Sequence, residues 1–283
     1  MELIFSAALC SVLVSIFLKI SKSKGLDPLQ MIAWNYASAS VLCFFWFKPD
    51  LVHLSFTKTP WWLIATLGVV LPSIFLCLAR SLETAGILKT EVAQRLSVVL
   101  SLVAAYFLFG ERFNDLKIYG IALGLIAVLM IVFAKNNGSS SNQTAKASIY
   151  LLAVWAGYAL VDILLKYTTN LGLQFAVSLN LMFIFAFIIS IAYLSLQKTK
   201  WRLHNTFAGL SLGVLNFANI ALYVKAHMLL KDSPGVVFAG MNILVVVFGV
   251  IAGSLIFKER MGLMIILSLI LAVVGVCLLS LSM

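Results

Sequence analysis

Apolar side chains run along this chain in continuous stretches of about twenty residues, separated by short groups of charged and turn-forming residues. These runs predict helical spans near 3–20, 28–47, 61–82, 86–108, 116–134, 148–167, 174–196, 206–230, 235–257 and 262–282. The strands of a membrane barrel would alternate apolar and polar positions over about ten residues, and these runs do not alternate. Turn residues stand at several breaks: Gly25-Leu26-Asp27-Pro28, Thr59-Pro60 and Ser233-Pro234-Gly235. The stretch from Lys135 to Thr144 is polar and rich in Asn and Ser, so residues 135–147 read as a linker. It divides the chain into two halves of five spans, 1–134 and 148–283.

Composition turns this pattern into a class. Of 283 residues, 63% are hydrophobic and 11% charged, and the mean hydropathy is +1.09. An ordinary soluble domain is about a quarter charged. An all-α integral membrane protein is expected, multi-pass in a cytoplasmic membrane, with no room for a soluble catalytic domain. The excess of 20 Lys+Arg over 10 Asp+Glu is scattered at span ends, where it suits lipid headgroups and topology rather than nucleic acid. Cys10, Cys43, Cys77 and Cys277 sit in apolar runs without metal-ligand or redox spacing, and no disulfide is expected. The start of the chain lacks a basic region and a cleavage site, so residues 3–20 read as a retained span.

The halves repeat. Phe107-Leu108-Phe109-Gly110-Glu111-Arg112-Phe113 matches Leu255-Ile256-Phe257-Lys258-Glu259-Arg260-Met261 at an offset of 148 residues. Ile16-Phe17-Leu18-Lys19 matches Ile163-Leu164-Leu165-Lys166 at 147. Five spans per half is an odd number, so the halves enter the membrane from opposite sides. That predicts an inverted repeat with the substrate near the midplane between the halves.

Ten spans, a five-plus-five repeat, and Gly-Glu-Arg and Lys-Glu-Arg closing the fourth and ninth spans resemble the EamA family of the drug/metabolite transporter superfamily. The resemblance covers essentially the whole chain and implies alternating-access transport with both termini cytoplasmic. Its substrates range over amino acids, drugs and nucleotide sugars. This chain departs from the pattern at Lys258, which stands where the first half has Gly110, and in the charge of its fourth span.

Ionisable groups inside a bilayer cost several kcal/mol, so those within spans should face a cavity or a partner. Glu91 and Arg95 lie at i,i+4 on the fourth span with Gln94 beside them; they read as site residues or as an internal ion pair. In the sixth span Trp155, Tyr158, Asp162 and Lys166 form a polar-aromatic stripe. Asp162 suits a substrate ammonium or a coupling proton, Glu91 is a second candidate for the proton, and a buried pair between Asp162 and Lys166 is the alternative. The eighth span offers Asn216, Asn219, Tyr223 and His227. Its first three can grip a polar solute or join helices, whereas His227 lies near the span end and reads as interfacial. Asn242 of the ninth span is the counterpart of Gln94. Glu111-Arg112 and Glu259-Arg260 sit at span ends and read as loop-tying and helix-capping groups. Trp46, Trp61, Trp62 and Trp201 fit an interfacial belt, and the pairs Gly120 and Gly124, Gly249 and Gly253 fit close helix packing.

His-Glu-x-x-His, Gly-x-Ser-x-Gly and P-loop patterns are absent, so neither an enzyme nor a cofactor is expected. The site candidates are therefore Glu91, Gln94, Arg95, Trp155, Tyr158, Asp162, Asn216, Asn219, Tyr223 and Asn242. With both signs of charge they favour a zwitterion such as an amino acid, with export the expected direction and protons a candidate coupling ion. A multidrug or hydrophobic-cation exporter and a lipid-handling or structural membrane subunit are the alternatives. Loop charge opposes the orientation that the resemblance implies: about seven Lys and Arg fall on the side of the termini and about twelve on the other.

Overall fold

The computed structural model describes residues 1–52, 54, 57, 59–134 and 141–282, and the side chains of all of these but 141 and 142. It is helical, and no strand occurs among the described residues. The helices are α1 (Glu2–Ser23), α2 (Pro28–Phe47), α3 (Trp61–Thr84), α4 (Ile87–Arg95), α5 (Ser97–Phe109) and α6 (Asp115–Phe133). They continue with α7 (Ser141–Asn170), α8 (Phe175–Leu196), α9 (Leu203–Leu229), α10 (Pro234–Ile251) and α11 (Leu263–Leu281). A π-helical turn, Ala252–Ile256, prolongs α10.

Nine spans among the described residues are long and apolar enough to cross a bilayer, with α4 and α5 counted together and α10 counted with its π turn. The predicted second span, α2, is twenty residues long but is not among them. Its polar groups face protein rather than lipid, because α2 packs between α8 and α9. Gln30 donates to the Lys200 carbonyl at 3.0 Å and accepts from Asn205 Nδ2 at 3.0 Å, and Asn35 accepts from Asn216 Nδ2 at 3.2 Å. Interhelical hydrogen bonds of this kind remove the cost of a polar group in a membrane helix.

Element boundaries follow local chemistry. Asp27 caps α2 by accepting from Leu29 N–H at 2.9 Å ahead of Pro28, and Asn114 caps α6 through Lys117 N–H at 2.9 Å. The linker predicted over 135–147 is described only from residue 141 on. Residues 135–140 lie outside the described residues, but α7 already begins at Ser141. Ala147 and Leu151 are buried in the same cluster as Val128 and Val132 of α6, so this end of α7 packs as part of the bundle.

The packing is reciprocal between the halves. Helix α1 packs on α9 and α10, while α7 packs on α3, α4 and α5. Helix α2 lies on α9 and α8 on α3, and the pairs α2–α8, α4–α10 and α6–α11 meet across the middle. Gly120 and Gly275 let α6 and α11 approach closely: a Cβ on Gly275 would stand 3.1 Å from the Gly120 carbonyl oxygen.

Candidate functional site

The fourth span is broken inside the membrane. Helix α4 stops at Arg95, Leu96 adopts φ −77° and ψ −1°, and α5 restarts at Ser97. A break at membrane depth requires partners for the freed backbone. Trp155 Nε1 donates to the Leu96 carbonyl at 3.0 Å, Ser97 Oγ donates to the Gln94 carbonyl at 2.7 Å, and Val99 N–H reaches Leu96 O at 3.1 Å. Trp155 is one of the substrate contacts expected from the sequence. Its ring packs against the buried cluster shared by α4, α5, α6, α7, α10 and α11, with its indole N–H spent on the break.

Beside the break lies a cavity of about 720 Å³, within the range of small-molecule sites. Gln94, Arg95, Ser97 and Val98 from the break form one wall, Tyr158 and Asp162 of α7 another, and Asn216, Asn219, Tyr223 and His227 of α9 a third. Phe238, Met241 and Asn242 of α10 complete it. Eight of the ten candidates thus surround one space: Gln94, Arg95, Tyr158, Asp162, Asn216, Asn219, Tyr223 and Asn242. The cavity runs from the buried Met241 and Asn242 to the exposed Met228 and Lys231, at the end of the bundle where α9 passes into α10. The C-terminus is at that end too, because Ser280 Oγ donates to the Gly235 carbonyl at 2.7 Å.

Glu91, the other candidate outside the cavity, is fully buried behind its wall. Glu91 and Arg95 do not pair with each other. Instead α1 supplies two serines at the same i,i+4 spacing: Ser15 Oγ donates to Glu91 Oε1, and Arg95 Nη2 donates to Ser11 Oγ. Glu91 Oε2 and Arg95 Nε have no hydrogen-bond partner among the described residues. A chamber of about 20 Å³, enough for one water, lies among Ser11, Ser15, Gln94, Tyr158, Asn216 and Asn219 and adjoins the main cavity. Ser11 and Ser15 escaped the sequence reading because a serine in an apolar helix carries no signal of its own.

Asp162 and Lys166 also do not pair. Ser101 Oγ donates to Asp162 Oδ2 at 3.2 Å, and Lys166 reaches Glu111. Arg95 is a positive neighbour shared by Asp162, Tyr158 and Tyr223. Asn216 spends its amide nitrogen on Asn35, and Asn242 spends its own on the Phe238 carbonyl at 2.8 Å, whereas Asn219 Oδ1 has no partner among the described residues. His227, read as interfacial, lines the cavity with its ring edge-on to Tyr223 at 4.7 Å. Its i,i+4 spacing from Tyr223 was the available clue.

The ninth span takes another course. A Cβ on Gly249 would lie 3.2 Å from Glu91 Cγ, and one on Gly253 would lie 3.0 Å from Glu259 Oε2. These glycines, read as close-packing positions, make room for two carboxylate side chains.

A multi-pass helical bundle with a cavity that gathers polar side chains beside a broken helix has the build of a membrane transporter. The chain belongs to the EamA-like transporter family, whose model matches residues 2–133. It is 39% identical over 268 residues to an uncharacterized protein of Haemophilus influenzae, a match covering 92% of this chain and 91% of that one. A solved crystal structure shares the fold at a TM-score of 0.62 and 14% identity, over 99% of this chain and 96% of the other.

Proposed function

We propose that the protein is a secondary transporter that moves a small zwitterion, an amino acid or a close relative, by alternating access between two inverted five-span repeats. The observation that carries this reading is the placement of Arg95 and Asp162 on different walls of one cavity, with amides and phenols between them. Arg95 suits a carboxylate and Asp162 an ammonium. Asn219 lies on the same cavity. Gln94, Asn216, Tyr158, Tyr223 and Asn242 orient the solute.

The reciprocal packing of the halves supports the inverted repeat. With the termini in the cytoplasm, the cavity faces the cytoplasm, the side from which an exporter loads. Asp162 and Glu91 are the groups that could exchange a coupling proton, Glu91 through the adjoining chamber.

The test is uptake from a defined metabolite mixture into proteoliposomes, with and without a proton gradient, read by mass spectrometry against empty liposomes. An amino acid should accumulate with the wild type and fail to do so with Arg95→Ala and with Asp162→Asn. Wild-type flux through both folded variants would refute the site. Phe175, Tyr158 and Tyr223 around Asp162 also suit a hydrophobic cation. Flux or drug resistance that depends on Asp162 and ignores Arg95 would favour that reading.

A further inference from the structure

The two Glu-Arg motifs do more than tie loops. Each glutamate pairs across the halves with the lysine of the other repeat anchor: Lys19 with Glu259, and Lys166 with Glu111. The rings follow the same crossing, with Lys19 Nζ 4.3 Å from the centre of Phe257 and Lys166 Nζ 5.1 Å from that of Phe109. The backbones correspond as well. Glu259 N–H donates to Gly253 O at 2.8 Å and Glu111 N–H to Ala105 O at 3.5 Å. Lys258 and Gly110, which precede them, are both left-handed, with φ of 53° and 65°. The non-glycine departure in the second motif therefore keeps the geometry of the first. Glu259 meets the beginning of the fourth span and Glu111 follows its end, so the two clamps lie at opposite ends of the bundle.

They are not in the same state. Glu259 also accepts from Ile87 N–H at 2.8 Å and Leu88 N–H at 3.2 Å, so its carboxylate is seated on the N-terminus of α4, where backbone donors and the helix dipole favour negative charge. The Lys19 and Glu259 side chains are each 19% exposed. Glu111 accepts from no backbone N–H among the described residues and holds only Lys166 and, at 3.9 Å, Lys117. Lys166 and Glu111 are 41% and 32% exposed. The cavity is open at the Glu111 end. Toward the Glu259 end it is closed by the buried layer that includes Glu91, Val92 and Val245.

We infer that the two clamps are reciprocal gates and that Glu259 and Glu111 are positioning residues of the transport cycle. With Glu259 seated, α4 and its Gln94 and Arg95 are fixed to the end of the ninth span, and that end is shut. In the opposite state Glu259 leaves α4, and Glu111 takes the corresponding seat on the N-terminus of α10 at Gly235 and Val236, closing the rim beside Lys231. This rests on the alternating-access reading.

The experiment uses Val98→Cys, in the cavity wall, as the single cysteine of a chain whose four native cysteines are replaced by alanine. Labelling by a membrane-impermeant maleimide is followed in right-side-out and inside-out vesicles. Glu259→Gln should raise labelling from the end opposite the termini by about tenfold, as expected when a charge-assisted bond holding one of two states is lost. Gly86→Ala should act in the same direction with the charge retained, because its Cβ would stand 2.7 Å from the Glu259 carboxylate. Glu111→Gln should shift labelling the other way, toward the end of the termini. Changes in the same direction, or no change in side, in variants that remain monodisperse in detergent overturn the gates while leaving alternating access standing. Labelling from one side only, in every variant, overturns both.

Discussion

The fourth and ninth spans pack against each other through α4 and α10, yet the charged side chains are concentrated in one of them. The fourth carries Glu91, Gln94 and Arg95 and breaks at Leu96. The ninth carries Asn242 alone among these positions and runs as a regular helix to its π turn near the end. A break in mid-membrane exposes backbone and a charged last turn to a cavity; a late π turn leaves the middle closed and aims the following Glu259 at α4. Of these two spans, the fourth thus supplies the cavity with positive charge, while the ninth serves as wall.

The sharpest way to break this contrast is to remove charge from the fourth span. Arg95→Ala should weaken substrate binding by roughly ten- to a hundredfold, the worth of a charge-assisted hydrogen bond of about 1.5–3 kcal/mol. Arg95→Lys should recover only part, because a point charge cannot reproduce a planar fork. Titration of transport against substrate concentration reads both. Asn242→Ala, in the ninth span, should stay within about threefold, since its amide nitrogen is already bonded within its own helix and about 0.5 kcal/mol remains at stake. Equal losses for Arg95→Ala and Asn242→Ala would erase the asymmetry.

Next in size is the pair of serines on α1. Ser15→Ala leaves the buried Glu91 carboxylate without its donor and should cost about 1–3 kcal/mol, seen as a lower melting temperature in detergent. Ser11→Ala frees the Arg95 guanidinium and should chiefly alter affinity, with little change in melting. A smaller loss of stability than for Ser15→Ala is expected at the break itself. Trp155→Phe removes the donor to the Leu96 carbonyl and should cost about 1 kcal/mol of stability while the cavity residues keep their places. Loss of substrate affinity without loss of stability would return Trp155 to the site.

Orientation sharpens the comparison of the two ends. Reporter fusions to both termini decide between the cytoplasmic termini of the family resemblance and the reverse placement favoured by loop charge. The first outcome makes the cavity inward-facing and the Lys19–Glu259 clamp the outer gate.

Sequence alone determined much of this protein. Apolar runs placed the helices, α2 among them although its polar residues lower its hydropathy. Eight of the ten nominated residues surround one cavity, because isolated polar groups in long apolar helices have few places to go. The tertiary structure alone decided who meets whom. Glu91 and Arg95, adjacent by helical spacing, turn to Ser15 and Ser11, and Lys166 passes over Asp162 for Glu111. The break at Leu96 carries no Pro or Gly to announce it; it persists because Trp155 from another helix satisfies its carbonyl. In a soluble helix an amphipathic stripe fixes which face looks inward. These helices are apolar on nearly every face, so their rotations, and with them the partners of each buried charge, are settled only when the helices pack against one another.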